Sequence, residues 1–246
     1  MIKLSEIPTD APEGLEKKET KARTLEMSKR IGDLEHIMYA EKKHSILVVF
    51  QGMDASGKDG ATRSTFQFCN PTGIDAYSFK KPTEEEFAHD FLWRIHHRAP
   101  AKGMIQIFIR SHYEDILVQR VHKWIDEELV NKRIESINAW ETLLQYDNNT
   151  TILKFYLHIS RERQKEKLQE RIDDPAKHWK HKDGDWKEAE LWDQYRVAYE
   201  DAINRSKVPW IIAPVDQRWY RDYFIAEKVL STMEALNFTL PGFKKE

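Results

Sequence analysis

The strongest constraint on the fold is a short apolar run that ends in a glycine loop. Ile46–Phe50 shows no polar alternation, so a strand made from it must be covered on both faces, as in a parallel sheet. It leads through Gln51 into Gly52-Met53-Asp54-Ala55-Ser56-Gly57-Lys58-Asp59-Gly60, which fits G-x-x-x-x-G-K. Glycines let a backbone wrap closely around oxyanions. Successive amides and a helix N-terminus supply partial positive charge, and Lys58 adds a full one. Strand context and spacing predict that Gly52, Ala55, Ser56, Gly57, Lys58, Asp59 and Gly60 hold phosphate, where an ordinary glycine turn would need neither. The loop also departs from the common pattern. Asp59 stands where Ser or Thr usually ligates magnesium, and Asp54 places a further carboxylate inside the loop. Two carboxylates would repel bare phosphate. They make sense with magnesium between them and the phosphates, or with Asp54 against an acceptor.

Four more runs have strand character: Ala76–Phe79, Met104–Ile109, Ile152–Ile159 and Pro209–Ala213, the last also continuous and so expected to be covered on both faces. Helical patterns separate them. Met27, Ile31, Leu34 and Met38 form one stripe on a helix expected over Lys21 to Lys43, after an irregular arm at 1–20. Thr83-Glu84-Glu85-Glu86 reads as a capping box, and Phe87, Phe91 and Ile95 as the buried face behind it. Leu191, Tyr195, Ala198 and Ala202 mark another helix, and a last one is expected over 220–236. Strands alternating with helices predict an α/β fold: a doubly wound parallel sheet of about five strands flanked by helices. With 246 residues, 40% of them hydrophobic, the chain suffices for one domain over 21–246.

The charge balance narrows the partners. A third of the residues are charged, yet 39 basic against 41 acidic side chains leave a net charge of only -2. No global field marks a nucleic-acid binder, so any polyanion site has to come from local clusters. One cysteine, Cys69, excludes a disulfide framework within the chain and suits a reducing compartment. The N-terminus lacks the apolar core of a signal peptide, and no apolar run approaches the roughly 20 residues needed to span a bilayer. A cytoplasmic protein without membrane partners is the expectation.

Met104–Ile109 runs into Arg110-Ser111-His112-Tyr113-Glu114-Asp115. Ligands of open α/β sheets gather at the carboxyl ends of strands, so Arg110 is placed to reach phosphates above the glycine loop. Its planar fork suits charge on a transferring group; a structural capping role is the alternative. Further along, Arg171, Lys177, His178, Lys180, His181 and Lys182 form a basic cluster with Trp179 and Trp186 interleaved. A long polyanion needs several cations along its track, though a charged helix end would look the same. Lys80, Lys81, Arg94 and Arg98 are weaker track candidates.

Taken in order, GMDASGKDG, FKKPTEEE, AHDFLWRIH, PAKG, FIRSHYEDIL, RIDDPAKHWK and GDWKEAELWDQY resemble polyphosphate kinase family 2, from about residue 20 to 240. HYED and AHDFLWRIH resemble the class that acts on nucleoside mono- and diphosphates. The resemblance implies a P-loop kinase-like fold with a helical lid at about 171–190. It implies inorganic polyphosphate as donor and AMP, ADP or guanine analogues as acceptors, in a reversible reaction. Magnesium, or manganese in its place, would be the cofactor, with Asp54 and Asp59 as ligands. Asp54, Lys58 and Arg110 would be catalytic, and His112, Glu114 and Asp115 would define the acceptor site. A homodimer or homotetramer is implied as well.

One position departs from the family. Before Arg-Ser the family carries Asp, or Asn in the HYED class, whereas this chain has Ile109, which can neither donate nor accept. An ATP-dependent nucleoside or nucleoside-monophosphate kinase shares the glycine loop and the Arg-Ser strand end. A non-catalytic polyphosphate or nucleotide binder is the reading that Ile109 itself suggests.

Overall fold

The computed structural model describes residues 1–243; residues 244–246 of the expected domain lie outside them. The apolar runs become five strands: β1 (Ser45–Gln51), β2 (Ile74–Ser78), β3 (Ile105–Ile109), β4 (Thr150–His158) and β5 (Trp210–Pro214). All neighbours pair in parallel, in the order β2-β3-β1-β4-β5. Every residue of β1 is buried because it lies between β3 and β4, with Phe50 in register with Ile109 on one side and Phe155 on the other. Each fully buried large apolar side chain on this strand contributes about 1.5–3 kcal/mol. β5 differs from the expectation of cover on both faces. It is an edge strand, and Ile211 and Ile212 are only half-buried.

Among the described residues ten α-helices connect and flank the strands: α1 (Lys17–Glu41), α2 (Lys58–Thr65), α3 (Glu84–Phe87), α4 (Trp93–His96), α5 (Glu114–Val121), α6 (Glu127–Asn148), α7 (Arg161–Asp173), α8 (Gly184–Glu190), α9 (Trp192–Arg205) and α10 (Arg218–Ala235). In α1, Ile31, Leu34 and Met38 are buried, and the helix packs along α10. α1 starts four residues before the expected Lys21. The irregular residues before it are tied down: Leu4 is buried, and the Ile2 amide donates to Asn204 Oδ1 at 2.6 Å. The capping box at Thr83 is present, with both reciprocal bonds. Phe87 is nevertheless 78% exposed, not part of a buried face. The segment breaks into two short helices because Asp90 Oδ1 takes the Leu92 amide at 2.9 Å and starts a new turn.

The order of strands sets up the site. The chain leaves β1, builds β2 and β3 on one side, then crosses to β4 and β5 on the other. The loops after β1 and β3 therefore diverge from adjacent strand ends and leave a crevice at the carboxyl edge. Among the described residues no helix is long and apolar enough to cross a membrane.

Close packing of α1 is testable. A Cβ on Gly32 would lie 2.5 Å from the Phe68 carbonyl oxygen. Gly32→Ala should cost about 1–3 kcal/mol in urea unfolding, because backbone has to move. Gly184, where an added Cβ meets nothing within 4 Å, should accept alanine within about 0.5 kcal/mol.

Candidate functional site

The glycine loop sits between Gln51, the last residue of β1, and Lys58, the first of α2. Its path needs left-handed backbone at Ala55 (φ 64°) and Gly57 (φ 94°). The left-handed φ favours glycine at 57, and a Cβ there would come within 2.2 Å of Arg221 Nη1 and push that guanidinium aside. Lys58 Nζ donates to the carbonyls of Gly52 at 2.9 Å and Met53 at 3.1 Å, which curls the loop around its ammonium. Burial lowers the Lys58 pKa, offset in part by Asp54.

Arg110 follows β3 directly and takes the left-handed conformation, φ 62°. For a non-glycine residue that costs about 1–3 kcal/mol. The turn aims its guanidinium back over β1, where Nη2 donates to Asp54 Oδ1 at 2.8 Å. Burial raises the Asp54 pKa, but Lys58 and Arg110 outweigh it and hold the carboxyl below its usual range.

Two cavities meet at this pair. The larger, about 840 Å³, is lined by Asp54, Ala55, Gly57, Lys58, Asp59 and Gly60 of the loop, with Ser56 buried beneath them, by Ile109 and Arg110, and by side chains of α2, α7, α10 and the segment after α7. Among the described residues ten basic side chains line it against four acidic ones, so it is strongly positive in a chain of net charge -2. The smaller, about 210 Å³, is lined by Gly52, Met53, Asp54, Arg110, Glu114, Val118, Gln164, Glu188, Tyr195 and Tyr199. Among the described residues only Asp54 and Arg110 line both.

The structure places Asp54, Lys58, Arg110, Arg171, Lys177 and Lys180 on the large cavity, and Glu114 on the small one. Arg171 is already paired with Asp185 at 2.6 Å, and Lys177 with Asp174 at 3.1 Å and Glu170 at 3.2 Å. Burial pushes the Glu114 carboxyl up, against the pull of Arg110 and of Gln51, whose Nε2 donates to it at 2.7 Å.

Other expectations are corrected. Arg94 is buried, with Nη2 on Asp115 Oδ2 at 3.1 Å and Nη1 on the Lys80 carbonyl at 2.9 Å. It ties the turn after β2 to α5, and its partner Asp115 is consumed by that bond and by Gln119 rather than facing an acceptor. His112 is fully buried, with Nε2 3.4 Å from Glu141. Arg98 lies past the end of α4 and stacks on Tyr77, 4.1 Å from the ring centroid. Lys80 and Lys81 are exposed, and neither lines either cavity.

The sequence reading missed Arg63, Lys167, Arg218 and Arg221 on the large cavity, and Glu188, Tyr195 and Tyr199 on the small one. Signals existed for some. Arg163, Lys167 and Arg171 recur every four residues on α7, and Arg218 and Arg221 stand just beyond the carboxyl end of β5. Burial, together with Arg221, Arg163 and Arg218, lowers Lys167 to about 8, a sign of crowded cations that gain from an anion. Arg221 is buried, bound to Asp222 at 2.6 Å and to the Gly57 carbonyl at 3.2 Å.

For a metal, Asp54 and Asp59 are the carboxylates of the loop. Among the described residues no group of three or more His, Cys, Asp or Glu side chains gathers into a cage. One or two carboxylates completed by water and phosphate oxygens is the donor set that magnesium favours, so the residues fit it.

The sequence profile of polyphosphate kinase 2 matches residues 14–240. The chain belongs to the polyphosphate kinase 2 family. Among relatives, it is 44% identical over 218 residues to the AMP/ADP-polyphosphate phosphotransferase of Meiothermus ruber, covering 87% of this chain and 81% of that protein. It is 37% identical over 227 residues to the ADP-polyphosphate phosphotransferase of Rhodopseudomonas palustris, covering 86% and 78%. The crystal structure of polyphosphate kinase 2 from Arthrobacter aurescens superposes with a TM-score of 0.96 at 34% identity, over 100% of this chain and 89% of that one.

Family membership makes Gly57 a sharp test of the loop. Gly57→Ala should keep the fold yet weaken polyphosphate binding about a hundredfold or more, because the added Cβ strains the left-handed turn and displaces the Arg221 guanidinium from the cleft. Calorimetry with polyphosphate checks this, and near-parental affinity would remove the loop from the site.

Proposed function

We propose that this polyphosphate kinase 2 family member transfers the terminal phosphoryl group of inorganic polyphosphate to AMP or ADP, or to the guanine analogues, reversibly. The observation that carries the reading is the meeting of a strongly basic cleft and a smaller pocket at Asp54 and Arg110. The cleft suits a polyanionic donor and the pocket an acceptor, so the reacting phosphates would meet at the shared pair. Both relatives described above are named for polyphosphate transfer to nucleotides.

The acceptor phosphate is already anionic, so no strong base is required. Positioning and charge neutralisation carry the reaction. Lys58 and the loop amides hold the transferring group. Arg110 stabilises its equatorial oxygens, and its present bond to Asp54 sets the height of the fork above the loop. Glu114 shapes the acceptor pocket beside Arg110. A bound magnesium or manganese ion, held by Asp54 and Asp59, would supply Lewis-acid charge to the phosphates. The segment at about 171–190 acts as a lid over the donor, and its closure excludes water that would hydrolyse polyphosphate. Trp179, 76% exposed, lines the cleft from this segment.

The setting is cytoplasmic in this reading. Cys69 fits it as an inert thiol, pushed up to about 12 by burial and the nearby Glu35. Assembly is as a homodimer or homotetramer, for which the exposed Leu129, Leu143 and Tyr146 of α6 offer apolar surface.

The deciding assay supplies polyphosphate, AMP or ADP and magnesium with no ATP. Product formation is expected; its absence, with ATP-driven phosphorylation instead, would overturn the reading. Lys58→Ala should lose about a hundredfold or more in turnover. Ile109 ends β3 and lines the cleft half-buried, where it offers no polar atom. Ile109→Asn should raise turnover by adding an amide beside the phosphates, and equal rates would show the position to be dispensable.

A further inference from the structure

The turn that carries Arg110 and Glu114 is fastened from behind by a buried polar knot. Residues 110–115 split between two directions. Arg110 and Glu114 face the cavities, whereas Ser111, His112, Tyr113 and Asp115 are buried. Behind them, Lys154 of β4 is fully buried with its ammonium inside the core. Its Nζ donates to Glu141 Oε2 of α6 at 2.6 Å and to the Tyr113 hydroxyl at 2.7 Å, and it also contacts Ser206 Oγ between α9 and β5. The Tyr113 hydroxyl donates to Glu141 Oε1 at 3.0 Å, and His112 Nε2 lies 3.4 Å from the same oxygen. Trp210 packs on Tyr113, with ring centroids 4.7 Å apart.

A lysine–glutamate pair in an apolar core is poor value for stability. Desolvating both charges offsets most of their attraction, and well-packed apolar residues often do as well or better. What such a knot supplies is geometry. Here four elements converge on the two side chains that immediately precede Glu114 and follow the strained Arg110 turn. His112 and Tyr113 cannot shift without breaking bonds to a buried charge pair, which would leave charge unpaired in the core.

We infer that Lys154, Glu141 and Tyr113 are positioning residues for the reaction: they lock the 110–114 turn so that Arg110 meets Asp54 and Glu114 enters the acceptor pocket. The inference rests on the proposed roles of Arg110 and Glu114, but the anchor itself can be read without turnover.

Two variants test it. Lys154→Met combined with Glu141→Leu replaces the charge pair by apolar groups, and Tyr113→Phe removes only the bridging hydroxyl. In both, kcat should fall about tenfold or more, since small misplacement of a positioned group is costly. The KM for polyphosphate should stay within about twofold, because the α7 and α10 cations are untouched. Amide hydrogen exchange over 109–115 should quicken in both. Parental exchange in that segment would overturn the anchor whether or not the protein turns over. Parental kcat, or a loss of kcat that disappears on normalising to folded protein, would overturn its role in the reaction. If the double variant does not fold, Tyr113→Phe decides alone. A parent protein inactive with polyphosphate would count against the proposed function and leave the exchange result to judge the anchor.

Discussion

The contact between Arg110 and Asp54 is the interaction on which the site depends. It spans adjacent strand ends, joining the loop after β1 to the turn after β3 at 2.8 Å. It exists because β1 and β3 are parallel neighbours whose carboxyl ends emerge side by side. It also requires Arg110 to hold a backbone conformation that residues other than glycine rarely adopt. The sheet supplies the proximity, and the buried bonds of His112 and Tyr113 resist relaxation of the turn.

Around that pair the molecule concentrates more positive charge than it neutralises internally. Lys58 is wrapped by carbonyls of its own loop, Arg221 is pressed against Gly57, and Lys167 loses affinity for its proton through burial and then through the cations beside it. Such crowding works against folding, since like charges repel and burial removes hydration. The compensation comes from carboxylates spaced along the rim, such as Asp222 on Arg221 and Asp185 on Arg171. A polyanion entering the cleft would relieve the repulsion that remains, which makes the arrangement a binding device more than a stabilising one.

Charged residues near the site divide by the direction of the backbone. Glu114 and Asp115 are consecutive at the start of α5, yet the first lines a pocket and the second is buried against Arg94. Successive helical residues point about 100° apart, so one acidic pair serves both the site and the scaffold. The same holds for Arg94, whose composition suggests a phosphate contact and whose bonds hold the turn after β2 against α5.

The primary structure alone determined the strands, the glycine loop and the general chemistry. Ile46–Phe50 has the unbroken apolar run of an inner strand, Gly57 and Lys58 have the spacing of a phosphate loop, and the ordered motifs resemble one family, because these signals are local in the chain. Tertiary structure decided which charges serve the site. Lys167, Arg218 and Arg221 come to the loop from α7 and α10, more than a hundred residues away, and Lys154 meets Glu141 and Tyr113 only through packing of β4 on α6. Spacing along one element records which side chains share a face. Which face turns to a cavity and which to a buried partner depends on desolvation and on neighbours brought together only when the sheet closes.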